Sequence, residues 1–97
     1  MPQQPGREFA RSTQPTADDH ALAALIAERL TLSPTQALVA LGIWRGMSEK
    51  QIAGWIERSQ ATVHSHLRAI YQRLRAEGVT GQVQLALAVE RVINFDH

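Results

Sequence analysis

Side chains that donate hydrogen bonds recur at helical spacing between residues 60 and 75. Ser65, Arg68 and Gln72 lie three or four residues apart, so one helix would present them on a single face, with His64 and Arg75 at its edge. A guanidinium group can donate two hydrogen bonds to guanine or pair with a phosphate, and a hydroxyl can bond to either kind of group. These residue types at this spacing predict a helix face that contacts duplex DNA.

The opposite face of the same helix is apolar. Its large residues follow one another at intervals of four, three and four residues: Val63, Leu67, Ile70 and Leu74. Ser59 precedes the helix as an N-cap residue, and Ser48 with Gln51 forms a capping box at the start of a shorter helix upstream. A short helix, a tight turn and a longer helix of about residues 59–77 predict a helix-turn-helix, whose second helix commonly lies in the DNA major groove.

Two more polar residues, Gln60 and Thr62, lie in the first turn of this longer helix. Side chains and backbone N–H groups at that position can meet phosphates or the edge of the groove. His66 falls at the edge of the apolar stripe, which favours a partly buried structural histidine over a base contact. His64 and His66 diverge by about 200° around a helix, so the two imidazoles cannot bind one metal ion.

The composition argues against other classes of function. The 97 residues include no cysteine, which excludes disulfides and thiolate zinc sites. No carboxylate pair, Ser-His-Asp set or glycine-rich phosphate loop occurs, so we expect no catalytic residue, no metal and no cofactor. No apolar run approaches the roughly 20 residues that span a bilayer, and no signal-peptide segment opens the chain. We therefore expect a cytoplasmic protein that is not an enzyme and does not bind a membrane.

The net charge is only +1, but its distribution favours DNA binding. From residue 45 to residue 75 there are six Arg or Lys residues against two Glu, a balance of +4, so the rest of the chain sums to −3. The positive charge is therefore concentrated around the predicted helix-turn-helix. A surplus of arginine on solvated helix faces is the alternative explanation.

Residues 32–93 resemble the LuxR/GerE family of transcription regulators. The segments that carry the resemblance read GMSEKQIA at residues 46–53 and SQATVHSHLRAIYQRL at residues 59–74. The resemblance implies a small all-α bundle that binds DNA, with Lys50 holding a phosphate, and a dimer formed through the last helix. Two departures stand out: His64 replaces the family's lysine, and Glu57 with Arg58 replaces a turn that usually holds glycine or asparagine and then an apolar residue.

The chain divides into three predicted parts. Residues 1–17, which contain three prolines, form a flexible arm; residues 18–31 form an extra N-terminal helix; and residues 32–97 form the LuxR/GerE-like helix-turn-helix domain. Leu38, Leu41 and Trp44 make an apolar strip that we expect the extra helix to cover. Gly42 in the same stretch costs a helix roughly 1 kcal/mol relative to alanine, so a tertiary contact should compensate for it.

The last helix, about residues 81–94, carries two apolar faces. Val83 and Leu87 mark one face, and the other is formed by Leu85, Val89 and Val92. A helix of this kind can pack on its own core and still meet another subunit. We predict a homodimer through Leu85, Val89 and Val92, with filling of the protein's own core as the alternative role for these side chains.

Together these features predict a sequence-specific, duplex-DNA-binding transcription regulator that acts as a homodimer. No receiver or ligand-binding domain fits before residue 32, so regulation is expected from abundance, a regulatory protein partner or the extra helix. The alternative is a protein-interaction module that keeps the fold with weak or no DNA binding. His64, the charged turn and aromatic residues such as Trp55 on the expected surface favour that alternative.

Overall fold

The computed structural model describes residues 14–95, whose regular structure is helical throughout. The helices are α1 (Ala17–Leu30), α2 (Pro34–Trp44), α3 (Glu49–Ile56), α4 (Gln60–Leu74) and α5 (Gln82–Phe95), with a 3₁₀ turn at Arg75–Glu77. Within this part of the chain no strand occurs, so the predicted all-α bundle with an added N-terminal helix is confirmed. Most of the predicted arm, residues 1–17, lies outside the described residues, and the three-part division stays a prediction.

Side-chain caps account for where the helices begin. Reciprocal capping boxes start α1, α2 and α3, and they are formed by Thr16 with Asp19, Ser33 with Gln36, and Ser48 with Gln51. The Ser59 hydroxyl accepts the Thr62 N–H at the start of α4. The box of α3 and the cap of α4 are at the predicted positions. The box of α1 was not predicted, and it places the helix start at Ala17 instead of residue 18.

Glycine ends two of the helical segments. Gly46 follows α2 with φ +84° and Gly78 follows the 3₁₀ turn with φ +85°, both in the left-handed region that favours glycine. The helix that contains the predicted DNA contacts therefore runs from Gln60 to Glu77, with its last turn tightened into 3₁₀ geometry.

All five helices contribute to one hydrophobic core. Its largest fully buried side chains are Ile26, Leu41, Ile52, Leu67, Ile70, Leu74, Leu85, Val39, Val63 and Val89. The predicted apolar stripe of α4 is confirmed, because all four of its residues are at most 2% exposed. Helix α2 lies centrally and packs against each of the other four helices, so the position of the helix-turn-helix depends on it.

The extra helix α1 packs mainly against α2, as expected from the apolar strip on α2. Ala23, Ala27 and Leu38 line one groove between the two helices, and Leu41 is fully buried. Trp44 turns towards α5 instead, where its Nε1 donates a hydrogen bond to Glu90 Oε1 at 2.7 Å. The strip is thus shared between α1 and α5.

Gly42 permits a close approach of α2 and α3. A Cβ atom at this position would lie 2.8 Å from Ile52 Cγ1 and 3.0 Å from Ile52 Cδ1, which is closer than carbon atoms pack. The missing side chain therefore gives Ile52 its place in the core, and this packing offsets the low helix propensity of glycine. Gly54 in α3 has no such neighbour, since a Cβ there would meet nothing within 4 Å.

We expect alanine to have opposite effects at these two glycines. Gly54→Ala should raise the free energy of unfolding by about 1 kcal/mol, because it adds helix propensity at an open position. Gly42→Ala gains the same propensity but forces Ile52 to move, and overpacking of this kind typically costs about 1–3 kcal/mol. Urea denaturation of both variants checks the prediction, and equal stabilisation by both would show that the Gly42–Ile52 contact does not limit packing.

Candidate nucleic-acid interface

The turn between α3 and α4 consists of residues 57–59. Glu57 is left-handed (φ 60°), its N–H bonds back to the Ala53 carbonyl, and the Arg58 N–H donates to the same oxygen at 2.9 Å. A non-glycine residue in this conformation costs on the order of 1 kcal/mol or more. Glycine or asparagine would tolerate this backbone geometry better, so the departure from the family pattern at Glu57 carries local strain.

The polar face of α4 is open to solvent. Ser65, Arg68 and Gln72 are exposed on the side opposite the buried stripe, and His64 and Arg75 are exposed at its edge. Helical periodicity alone placed these five side chains correctly with respect to burial. Their contact with DNA stays a prediction.

The two residues expected in the first turn of α4 differ in their surroundings. Gln60 is exposed, whereas Thr62 is half-buried and its hydroxyl lies 2.9 Å from the Ser59 hydroxyl in a shared hydrogen bond. Thr62 therefore supports the helix cap in addition to any contact with a phosphate. Lys50 is exposed in the first turn of α3, and His66 is half-buried beside the stripe, as expected for a structural histidine.

The basic residues of this region fall into two groups. Four are exposed on the helix-turn-helix and the 3₁₀ turn after it: Lys50, Arg58, Arg68 and Arg75. Arg45 and Arg73 are also exposed, but both contact α1. The Arg45 guanidinium instead lies 2.5 Å from the Asp19 carboxylate of α1, and Arg73 Nε donates to the Thr31 carbonyl at the end of α1. Two of the six positive charges counted from the sequence are thus engaged by the extra helix.

His64 has a partner that sequence inspection missed. Its Nδ1 lies 3.4 Å from Glu49 Oε1, which brings a histidine of α4 against the first residue of α3. A protonated imidazole forms an ion pair with this carboxylate. A neutral imidazole leaves the negative charge of Glu49 uncompensated next to the positive charge of Lys50. The residues are fifteen positions apart, so no local spacing rule reveals the pair.

Tyr71, on the same side of α4, has a buried hydroxyl with no hydrogen-bond partner among the described residues. Burial and then the nearby Glu49 carboxylate raise the pKa of the Tyr71 phenol, so this side chain stays neutral at physiological pH.

The predicted dimer contact must be corrected. Leu85 and Val89 are 0% exposed and Val92 is 7% exposed within a single chain, because these side chains pack into the protein's own core. The other face of α5 is the free one, since Val83 is 69% exposed and Leu87 is 51% exposed. The alternative role, filling of the protein's own core, therefore holds for the face formed by Leu85, Val89 and Val92.

No helix of residues 14–95 is long and apolar enough to cross a membrane. In that same range, no cluster of three or more His, Cys, Asp or Glu side chains has the geometry to hold a metal ion.

The buried stripe, the short turn and the exposed polar face define α3 and α4 as a helix-turn-helix of the DNA-binding type. The family model of bacterial regulatory proteins of the LuxR family (GerE) matches residues 26–87, more than half of the chain. The chain therefore belongs to the LuxR family of DNA-binding helix-turn-helix transcription regulators. No curated protein and no solved structure matches it. The first nine residues of α1 precede the matched region.

We expect DNA binding to strengthen as the pH falls from about 8 to about 6. Imidazoles in general change their charge in this range, a nearby phosphate favours the cationic form, and a cationic His64 would offset the negative charge of Glu49. Binding then takes up a proton, and the added cation steepens the salt dependence at low pH. His64→Lys should bind more tightly at pH 8 and lose most of the pH dependence.

Fluorescence anisotropy with labelled duplex fragments, measured at several pH values and salt concentrations, tests this expectation. His66→Gln is the matched control and should keep the pH profile of the unmodified protein. An unchanged profile in His64→Lys would place His64 away from the DNA.

Proposed function

We propose that this chain recognises a specific duplex-DNA sequence as a homodimer and thereby regulates transcription, with α4 in the major groove. The observation that supports this most strongly is the division of α4 into a fully buried stripe and an exposed polar face. Burial of the stripe fixes the rotation of the helix about its axis. Ser65, Arg68 and Gln72 are therefore held outward while α3 and the turn support the helix from behind.

The side chains on this surface suit two tasks. Arg68 lies at the centre of the exposed face and has the geometry for two hydrogen bonds to guanine, with Ser65 and Gln72 beside it for further base or sugar contacts. Phosphate contacts are assigned to residues around this centre: Lys50, Gln60, Thr62, His64 and Arg75. The backbone N–H groups at the start of α4 add a partial positive charge that favours phosphate.

The exposed face of α5 suits a second copy of the chain. Val83 and Leu87 lie one turn apart, and such a patch can meet its own copy across a two-fold axis. The Glu90 carboxylate lies on the same face and accepts hydrogen bonds from Trp44 and Asn94. These bonds hold it in place and lower its pKa below the ordinary value. Two apolar residues per subunit bury little area, so binding to two DNA half-sites would add to the stability of the dimer.

The interaction-module alternative loses one of its supports. Trp55 is 3% exposed and packs in the core, and Trp44 is half-buried with its N–H bonded to Glu90. Neither tryptophan is available as an anchor for a partner protein. DNA binding is therefore the function that the described surface favours.

Titration of mixed genomic duplex fragments at low and moderate salt tests DNA binding. Arg68→Ala should cost about 1–3 kcal/mol of binding free energy and weaken discrimination at one base pair. Lys50→Ala should remove one phosphate contact and so lower the slope of log affinity against log salt concentration by about 1. Arg29→Gln removes a positive charge from α1 and should leave the slope unchanged. A complete lack of salt-dependent binding would favour the interaction module instead.

The dimer is tested by placing a charge on the exposed face of α5. Leu87→Glu should give a folded monomer in sedimentation at tens of micromolar, because a carboxylate would lose its hydration in the contact. Ala24→Glu adds the same charge to an exposed site on α1 and should leave the dimer intact. Val89→Glu is uninformative here since it buries a charge in the core. Finding the unmodified protein as a monomer, or Leu87→Glu as a dimer, would contradict this interface.

A further inference from the structure

The extra helix α1 contacts the chain on both sides of the helix-turn-helix, through one residue at each of its ends. At its start, Asp19 forms an ion pair of 2.5 Å with Arg45, the residue that ends α2 just before the helix-turn-helix. At its end, the Thr31 carbonyl accepts a hydrogen bond from Arg73 in the last turn of α4. One helix thus connects the entry to α3 with the far end of α4.

The segment before α1 adds a third connection. The Gln14 side-chain amide donates to the Glu57 carboxylate in the turn of the helix-turn-helix. Gln14 and Pro15 also line one groove together with Leu38 and Trp55, a buried residue of α3. The N-terminal flank of α1 therefore lies against the turn that sets the angle between α3 and α4.

The ion pair at the start of α1 contains a nearly buried carboxylate that requires its counter-ion. The Asp19 side chain is only 7% exposed. Burial by itself raises the pKa of this carboxyl, but the Thr16 N–H and the Arg45 guanidinium outweigh burial and lower the pKa below the ordinary value. Asp19 is therefore ionised at neutral pH, and removal of Arg45 would leave a nearly buried carboxylate without its counter-ion.

The contact at the end of α1 also has a clear physical reason. Thr31 is left-handed, with φ 58°, and a helix end exposes carbonyl groups that have no partner within the helix. The guanidinium of Arg73 satisfies one of them. Both arginines belong by sequence to the basic region of residues 45–75, yet both are directed to α1.

We propose that Arg45 and Arg73 are positioning residues, which brace the helix-turn-helix against α1 and so set its affinity for DNA without touching DNA. The proposal rests on the DNA binding proposed above. Asp19, the acidic partner of Arg45 in this brace, precedes residues 26–87, which match the family model. Since the brace holds the ends of α2 and α4 in one arrangement, loosening it lowers the population of the binding-competent geometry.

Asp19→Asn separates this proposal from a simple charge effect. Removal of a negative charge strengthens DNA binding if only the overall electrostatic field matters. Loss of the brace weakens binding instead, and we expect a loss of about fivefold or more, in the range of coupling between distinct sites. Asp18→Asn is the matched control, because Asp18 is exposed, adjacent and of the same charge, and it should bind as tightly as the unmodified protein or slightly more so.

Arg45→Gln and Arg73→Gln complete the design. Both variants should lose DNA affinity while keeping the salt slope of the unmodified protein, unlike Lys50→Ala. The double variant of Asp19→Asn and Arg45→Gln should lose no more affinity than either single variant. Affinities are measured by fluorescence anisotropy at a temperature where circular dichroism shows each variant fully folded, so a role in stability alone leaves them unchanged. Arg45→Lys and Arg73→Lys replace any glutamine variant that does not fold, and they should show a smaller loss in the same direction.

The possible outcomes test the brace and the proposed DNA binding separately. Equal affinity of Asp19→Asn and Asp18→Asn would overturn the brace while leaving DNA binding intact. A salt slope lowered by about one in Arg45→Gln or Arg73→Gln would overturn it as well, because it would show direct phosphate contact. Lack of DNA binding by the unmodified protein would overturn the proposed function itself and the brace that depends on it.

Discussion

Burial of one side of α4 is the constraint on which the rest of the structure depends. Val63, Leu67, Ile70 and Leu74 are almost completely removed from solvent, and burial of each such side chain contributes roughly 1.5–3 kcal/mol. No rotation of α4 about its axis preserves these contacts. The polar residues on the other side are therefore fixed in direction as well, and a stability requirement of the core determines which side chains face outward.

The caps and the turn convert this helix into part of a two-helix unit. Ser59 fixes the start of α4, Ser48 and Gln51 fix the start of α3, and the left-handed Glu57 reverses the chain between them. Gly42 then lets Ile52 of α3 sit close to α2, so the pair is held against the centre of the bundle. Local strain at Glu57 is offset by these tertiary contacts.

The extra helix engages part of the positive charge of residues 45–75. Arg45 and Arg73 contact α1, which leaves Lys50, Arg58, Arg68 and Arg75 as the other cations of this region, and the Glu49 carboxylate beside His64 partly offsets their charge. Together these features describe a domain whose positive surface is modest and whose geometry is supported from the N-terminal side.

Local sequence patterns predict the helices, most of their caps, the helix-turn-helix and the exposed face of α4, because helical periodicity and capping are encoded within a few neighbouring residues. Which apolar face of α5 is buried depends instead on how the helices pack together. Both faces have suitable residues, and the positions of α1 and α2 alone select Leu85 and Val89 over Val83 and Leu87. The partners of Arg45, Arg73 and His64 were equally hidden, since each lies on a different helix or helix end and is brought close by packing, which no local pattern records.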